Sequence, residues 1–150
     1  MKRMLVLFLF ILGASMPARA QTAMPRAEFS IGLFRILAEV AATPEQRGAG
    51  LMGRRTMSRH EGMLFVFPKA ERHCMWMKNT FIPLSVAFLD AEGRIINIRN
   101  MRPQTENNHC AAAPARFALE MNQDWFAEKG ITPGAQVSGL DAYLEAGGAQ

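Results

Sequence analysis

From Phe29 to Val40 the chain is apolar on both alternating sets of positions, Phe29, Ile31 and Leu33 on one and Phe34 and Ile36 beside Ser30 on the other. That pattern predicts a strand covered on both sides or bent midway. Thr43-Pro44-Glu45-Gln46 then reads as a helix start: Thr43 caps, Pro44 sits where its missing N–H costs nothing, and Gln46 reaches back to complete a capping box. The helix is expected to run from Pro44 to about Arg54, burying Ala49 and Met52 with Leu51, while Arg47, Arg54, Arg55 and Arg59 read as a solvated helix face. Short β-type runs follow at Met63–Phe67, His73–Asn79, Leu84–Asp90, Arg94–Met101 and Arg116–Met121. Ala91-Glu92-Gly93 joins the third and fourth of these as a hairpin. Residues 102–115 form a long irregular stretch of the kind that often carries function. Asn122 is expected to cap a short helix, Gln123–Lys129, ended by Gly130, before a turn at Thr132-Pro133-Gly134 and a last strand at Gln136–Leu140. The predicted class is mainly β: a single-domain antiparallel sandwich or barrel-like fold with one or two short helices.

The N-terminus changes the picture of where the protein works. Lys2 and Arg3 precede the apolar run Met4–Leu12, Gly13, Ser15 and Pro17 break it, and Ala18-Arg19-Ala20 offers small residues for cleavage after Ala20. That order is a secretory signal peptide's, and the run is far short of the roughly 20 residues of a spanning helix. The expected organisation is a signal peptide at 1–20, a linker at 21–28, one β-rich domain at 29–144 and a frayed tail at 145–150. Of seventeen basic residues, Lys2, Arg3 and Arg19 leave with the signal, so fourteen face thirteen acidic ones and the net charge falls from +4 to +1. Without a basic excess there is no electrostatic footprint for nucleic acid. The expectation is a periplasmic or secreted protein with no integral membrane segment after cleavage.

Six ordered motifs carry a family resemblance: GLMGR (Gly50–Arg54), GMLFVF (Gly62–Phe67), WMKNT (Trp76–Thr80), IPL (Ile82–Leu84), FLD with Gly93 following (Phe88–Asp90), and ALE (Ala118–Glu120). Together they resemble the bacterial and archaeal family called domain of unknown function 192, over about residues 29–140. The resemblance implies a single domain dominated by antiparallel strands with one or two short helices, and no established activity. Two positions depart from the family's usual pattern: Ser85 stands where an aspartate follows Pro-Leu, and Ala135 stands where the last turn reads Gly-Asp.

The candidate chemistry is sparse. Cys74 and Cys110 are an even pair in a chain marked for export, which predicts a disulfide tethering the irregular stretch to the Trp76 segment. A two-cysteine, two-histidine metal site with His73 and His109 is the alternative, opposed by strand alternation and by the lack of a close Cys-x-x-Cys spacing. His73, Met75, Met77 and Asn79 would share one face of a continuous strand, a donor set for Cu(I), although core packing explains the methionines more simply. Trp76, Lys78, Asn79 and Thr80 read either as the wall of a small-molecule pocket or as core, surface and turn residues. Glu120 reads as a carboxylate paired with Lys78 or Arg54, or as an acid poised in a cleft with Asp90, Glu61 or Asp124 as possible mates. There is no Gly-x-Ser-x-Gly elbow and no phosphate-cradling loop.

The expected function is a non-catalytic domain that binds a small ligand or serves as an accessory to an envelope component, with Trp76, Lys78, Asn79, Thr80, Arg54 and Glu120 as candidate contacts. The sequence calls for no cofactor and no metal. One alternative is an enzyme acting on an envelope glycan through Glu120; a second is a Cu(I)-handling protein.

Overall fold

The computed structural model describes residues 24–145. The expected signal peptide, and all but the first residue of the expected tail, lie outside the described residues. Among the described residues there are nine strands: β1 Arg26–Ile31, β2 Phe34–Ala41, β3 Glu61–Glu71, β4 Cys74–Met75, β5 Leu84–Leu89, β6 Ile95–Met101, β7 His109–Cys110, β8 Ala115–Asn122 and β9 Val137–Ser138. Three short helices accompany them, α1 Pro44–Ala49, α2 Trp125–Glu128 and α3 Asp141–Glu145. With 45% strand and 11% helix the protein is mainly β, as expected, and its sheet curls into a half-barrel.

The large sheet has the order β6-β5-β8-β3-β2-β1-β9, and β4 pairs with β7 as a separate ribbon. Among the described strands only β2 and β3 run parallel. Parallel neighbours need a crossover, and residues 42–60, containing α1, supply it. The central strand β3 is buried from Gly62 through Phe67, because both faces of the sheet are covered. On one face Leu64 packs with Phe29, Ile36, Phe117, Leu119, Trp125 and Phe126. On the other, Met63, Phe65 and Phe67 pack with Leu51, Met77, Val86, Phe88, Met101 and Ala118.

Several local expectations are corrected. The Phe29–Val40 run is a hairpin of β1 and β2, pairing Ile31 with Phe34 across Gly32-Leu33. Gly32 takes φ +58°, a conformation that suits the first central position of a two-residue hairpin loop. The capping box at Thr43 and Gln46 forms as read, but α1 ends at Ala49, where Gly50 turns to φ +46°. Ala49 is therefore exposed and Met52 half-buried, and Leu51 alone of the three is buried. Past that helix end the arginines diverge: Arg54 pairs with Glu39, Arg55 lies over Phe81 and Arg59 pairs with Glu128. The His73–Asn79 run yields only the two-residue β4. Asn122 does not cap α2; its amide donates to the carbonyls of Met57 and Ser58, and Asp124 takes the N-cap position at φ +64°.

The Ala91-Glu92-Gly93 hairpin is present, with Asp90 accepting from the N–H groups of Glu92 and Arg94 at 3.0 and 2.8 Å. Gly93 adopts φ +80°, and a Cβ there would lie 2.8 Å from Leu140 Cδ1 and 2.9 Å from the Val137 carbonyl. Gly93→Ala should therefore destabilise the fold by about 2 kcal/mol or more, read as a lower denaturant midpoint at unchanged slope.

Candidate functional site

The second face of the sheet does not close completely. Phe65 and Phe67 of β3 and Glu120 of β8 line a cavity of about 420 Å³. One wall is the chain leaving α1, Gly50, Leu51 and Met52; the other is the β4 segment, His73 to Trp76, with Thr80 behind it. Gly50 is needed at this wall, since a Cβ there would press on the Phe65 ring at 3.3 Å.

The β4 wall belongs to an arm carried above the sheet. Cys74 and Cys110 lie directly opposite one another in the β4–β7 ribbon at disulfide-bonding distance, S–S 1.99 Å. This pairing is the one expected from the cysteine count, and it leaves neither thiol for the two-cysteine, two-histidine metal reading. Backbone bonds from Met77 N–H to Thr105 and from Gln104 N–H to Thr80 knit the same arm to the irregular stretch. Asn97 ties it to β6, donating to the Cys110 carbonyl and accepting from the Ala112 N–H.

Glu120 stands on the cavity floor because β8 alternates Phe117, Leu119 and Met121 toward one core and Ala118 and Glu120 toward the other. Its strand neighbours are Met63 and Val86. It is 3% exposed, and its carboxyl has no hydrogen-bond or ion-pair partner among the described residues. Burial without a partner penalises the charged form and pushes its pKa up to about 8. The expected pairing with Lys78 or Arg54 is not formed. Arg54 reaches Glu39 at 2.8 Å, where it joins Arg26, and Lys78 sits over the Trp76 ring and 3.8 Å from Glu106. Glu39, held by these two arginines against the cost of burial, has its carboxyl below the ordinary value.

The family model for DUF192, an uncharacterized ACR, matches residues 28–139. The chain belongs to the DUF192 family. A Sinorhizobium meliloti protein provisionally called a transcription regulator has a crystal structure that is 31% identical, with a TM-score of 0.76 over 79% of this chain and 96% of that one. A protein of unknown function from Novosphingobium aromaticivorans is 32% identical, with a TM-score of 0.74 over 83% and 94%. No curated protein matches the chain at a significant level.

Four of the six DUF192 motifs converge on the cavity: GLMGR supplies Gly50 to Met52, GMLFVF supplies Phe65 and Phe67, WMKNT supplies Trp76 and Thr80, and ALE supplies Glu120. Of the six candidate residues, the structure thus brings Trp76, Thr80 and Glu120 together. Trp76 stands at the rim, 46% exposed, whereas Thr80 is buried. Lys78 lies outside the lining, and Asn79, at φ +55°, accepts the Gly53 N–H at 2.8 Å and so braces the wall. Arg47, Phe65, Phe67, Leu51 and Met52 line the cavity without having been singled out as contacts. The GLMGR and GMLFVF motifs were the available signal for the apolar four.

The other chemical readings lose their geometric basis. His73 stacks on Phe67 at 3.7 Å with Nε2 against the Lys69 carbonyl, and Met77 is fully buried, so the single strand face imagined for Cu(I) does not exist. Asp90 is bound into the hairpin turn, Glu61 pairs with Arg26 and Asp124 accepts from Asn100; none of the three lines the cavity. The two family departures also lie off the cavity. Ser85 accepts the Asp124 N–H at 2.9 Å and donates to Asn100, holding the entry to α2, and Ala135 sits in a turn beside β6. No described helix is long and apolar enough to cross a membrane.

Proposed function

We propose that this DUF192 protein is an exported, non-catalytic small-ligand-binding or accessory domain whose ligand enters the cavity between the GLMGR wall and the disulfide-closed arm. The observation that carries the reading is the convergence of four separate motifs on one apolar cavity with a single unpartnered carboxyl at its floor. Ligand sites are typically concave and mostly apolar with a few placed polar groups, and this one has Glu120 and Thr80 in that role beside the Trp76 platform. Supporting export are the leader-like first twenty residues and the Cys74–Cys110 pair, which favours an oxidising compartment.

The regulator name attached to the Sinorhizobium meliloti structure does not transfer easily. Residues 24–145 carry fourteen basic and thirteen acidic residues, which is no footprint for a phosphate backbone. A glycan-cleaving role is disfavoured because, among the described residues, no second carboxylate lines the cavity, whereas that chemistry uses two.

The test is a fragment screen by ligand-observed NMR on the mature protein. Binders are expected whose affinity falls about tenfold in both Trp76→Ala and Glu120→Gln. A set of binders indifferent to both substitutions would place the ligand surface elsewhere.

A further inference from the structure

The buried polar side chains of the cavity are set to accept hydrogen bonds. Glu120, 3% exposed on the floor, has no hydrogen-bond or ion-pair partner among the described residues, and the flanking strands β3 and β5 set only Met63 and Val86 beside it. Thr80, also buried in the lining, turns its hydroxyl proton toward the Lys78 carbonyl at 3.4 Å, which leaves the oxygen's lone pairs to accept.

The two basic side chains in the lining are engaged elsewhere. Arg47 Nη1 donates to the carbonyls of Ala42 and Val66, and His73 stacks on Phe67 with Nε2 against the Lys69 carbonyl. Arg47 also stands away from the acid. Met63 is the β3 neighbour of Glu120, and Val66 lies further along that strand by roughly 10 Å at about 3.3 Å of rise per residue. A buried carboxyl without a partner is costly, and the fold supplies no cation to meet it. A ligand that brings positive charge and N–H groups relieves that cost. Phe65, Phe67 and Trp76 in the lining suit such a group, since ring faces attract cations and also cover an apolar body.

Resting on the ligand-binding reading above, we propose that the cavity takes a small primary amine in its ammonium form. Its N–H groups donate to the Glu120 carboxylate and to Thr80 Oγ1, and its apolar body lies along Phe65, Phe67 and Leu51 beneath Trp76. The size agrees, since about 420 Å³ lies toward the small end of ligand pockets. Binding also moves a proton. In the empty cavity at pH 7 Glu120 is mostly protonated, burial having pushed its pKa up to about 8. The ammonium keeps its own protons and favours the ionised carboxyl, so the Glu120 proton leaves to solvent as the complex forms.

The experiment is calorimetry on the mature protein with phenethylamine and its neutral counterpart phenethyl alcohol, from pH 6 to pH 9 in buffers of different ionisation enthalpy. At pH 8 the amine is expected to bind at least tenfold more tightly than the alcohol, the worth of one charge-assisted hydrogen bond. Its affinity should rise about tenfold from pH 6 to pH 7 and level off above about 8, with close to one proton released per amine bound at pH 7. Glu120→Gln should abolish both the pH dependence and the proton release and bring the two affinities to within about threefold. Arg47 and His73 remain in that variant, so a pH dependence that survives it would belong to them and overturn the role of Glu120. Should the variant fail to fold, the proton count on the wild type decides, and binding without proton release overturns the proposal. Equal affinities for amine and alcohol would overturn the amine preference and leave the ligand-binding reading standing. Binding of neither would overturn the amine alone if the fragment screen yields other binders, and both readings if it yields none.

Discussion

Between pH 5 and pH 8 the protein is expected to lose roughly 4 kcal/mol of stability through Glu120 alone, a loss that Glu120→Gln should abolish. The ordinary carboxyl value is 4.5, and burial raises that of Glu120 to about 8. Between those values the unfolded chain has released the proton and the folded protein retains it, so raising the pH favours unfolding. The contribution is fully present below about 4.5 and gone above about 8. Glu39 has the opposite sign: its lowered value adds stability above the ordinary carboxyl range that is lost only as the pH falls below it. The difference between wild-type and Glu120→Gln denaturation midpoints, followed from pH 5 to pH 9, therefore isolates Glu120. Parallel curves would show that its carboxyl is ionised in the folded state.

The second large effect is expected at the cysteines. Cys74 and Cys110 are 36 residues apart in sequence, and closing a loop of that length contributes roughly 4 kcal/mol on the chain-entropy estimate. That is a large share of the 5 to 15 kcal/mol typical of a single domain. Reductant should lower the wild type's unfolding free energy, extrapolated from urea denaturation, by that amount and leave a Cys74→Ser, Cys110→Ser double variant unmoved. Ligand affinity should fall in parallel, because the arm that holds Met75 and Trp76 against the cavity pairs through only two residues on each side. A shift below about 1 kcal/mol would mean that the backbone bonds of Met77 and Gln104 hold the arm unaided.

The places where sequence reading succeeded and failed share a cause. The Thr43 capping box and the Gly93 hairpin were legible because each is complete within a few neighbouring residues. The His73–Asn79 segment misled because its apolar alternation is real but its hydrogen-bond partners are remote. Met77 bonds Thr105 and Asn79 bonds Gly53, so the chain leaves the strand after Met75. Arg47 was hidden by its helix: its spacing matches a solvated face, and only the crossover from β2 to β3 lays that helix's end over the cavity.

Sequence alone determined the class of the fold, the family, the placing of Glu120 on the face of its strand opposite Phe117, Leu119 and Met121, and the pairing of the only two cysteines. These follow from local periodicity, motif order and counting, none of which requires knowing what lies across the sheet. The tertiary structure alone decided that Trp76, Thr80 and Glu120 share a cavity while Arg54 and Lys78 turn away from it. Those outcomes depend on pairings between distant segments, and no short-range pattern encodes whether a charge meets a partner or is left facing an open cavity.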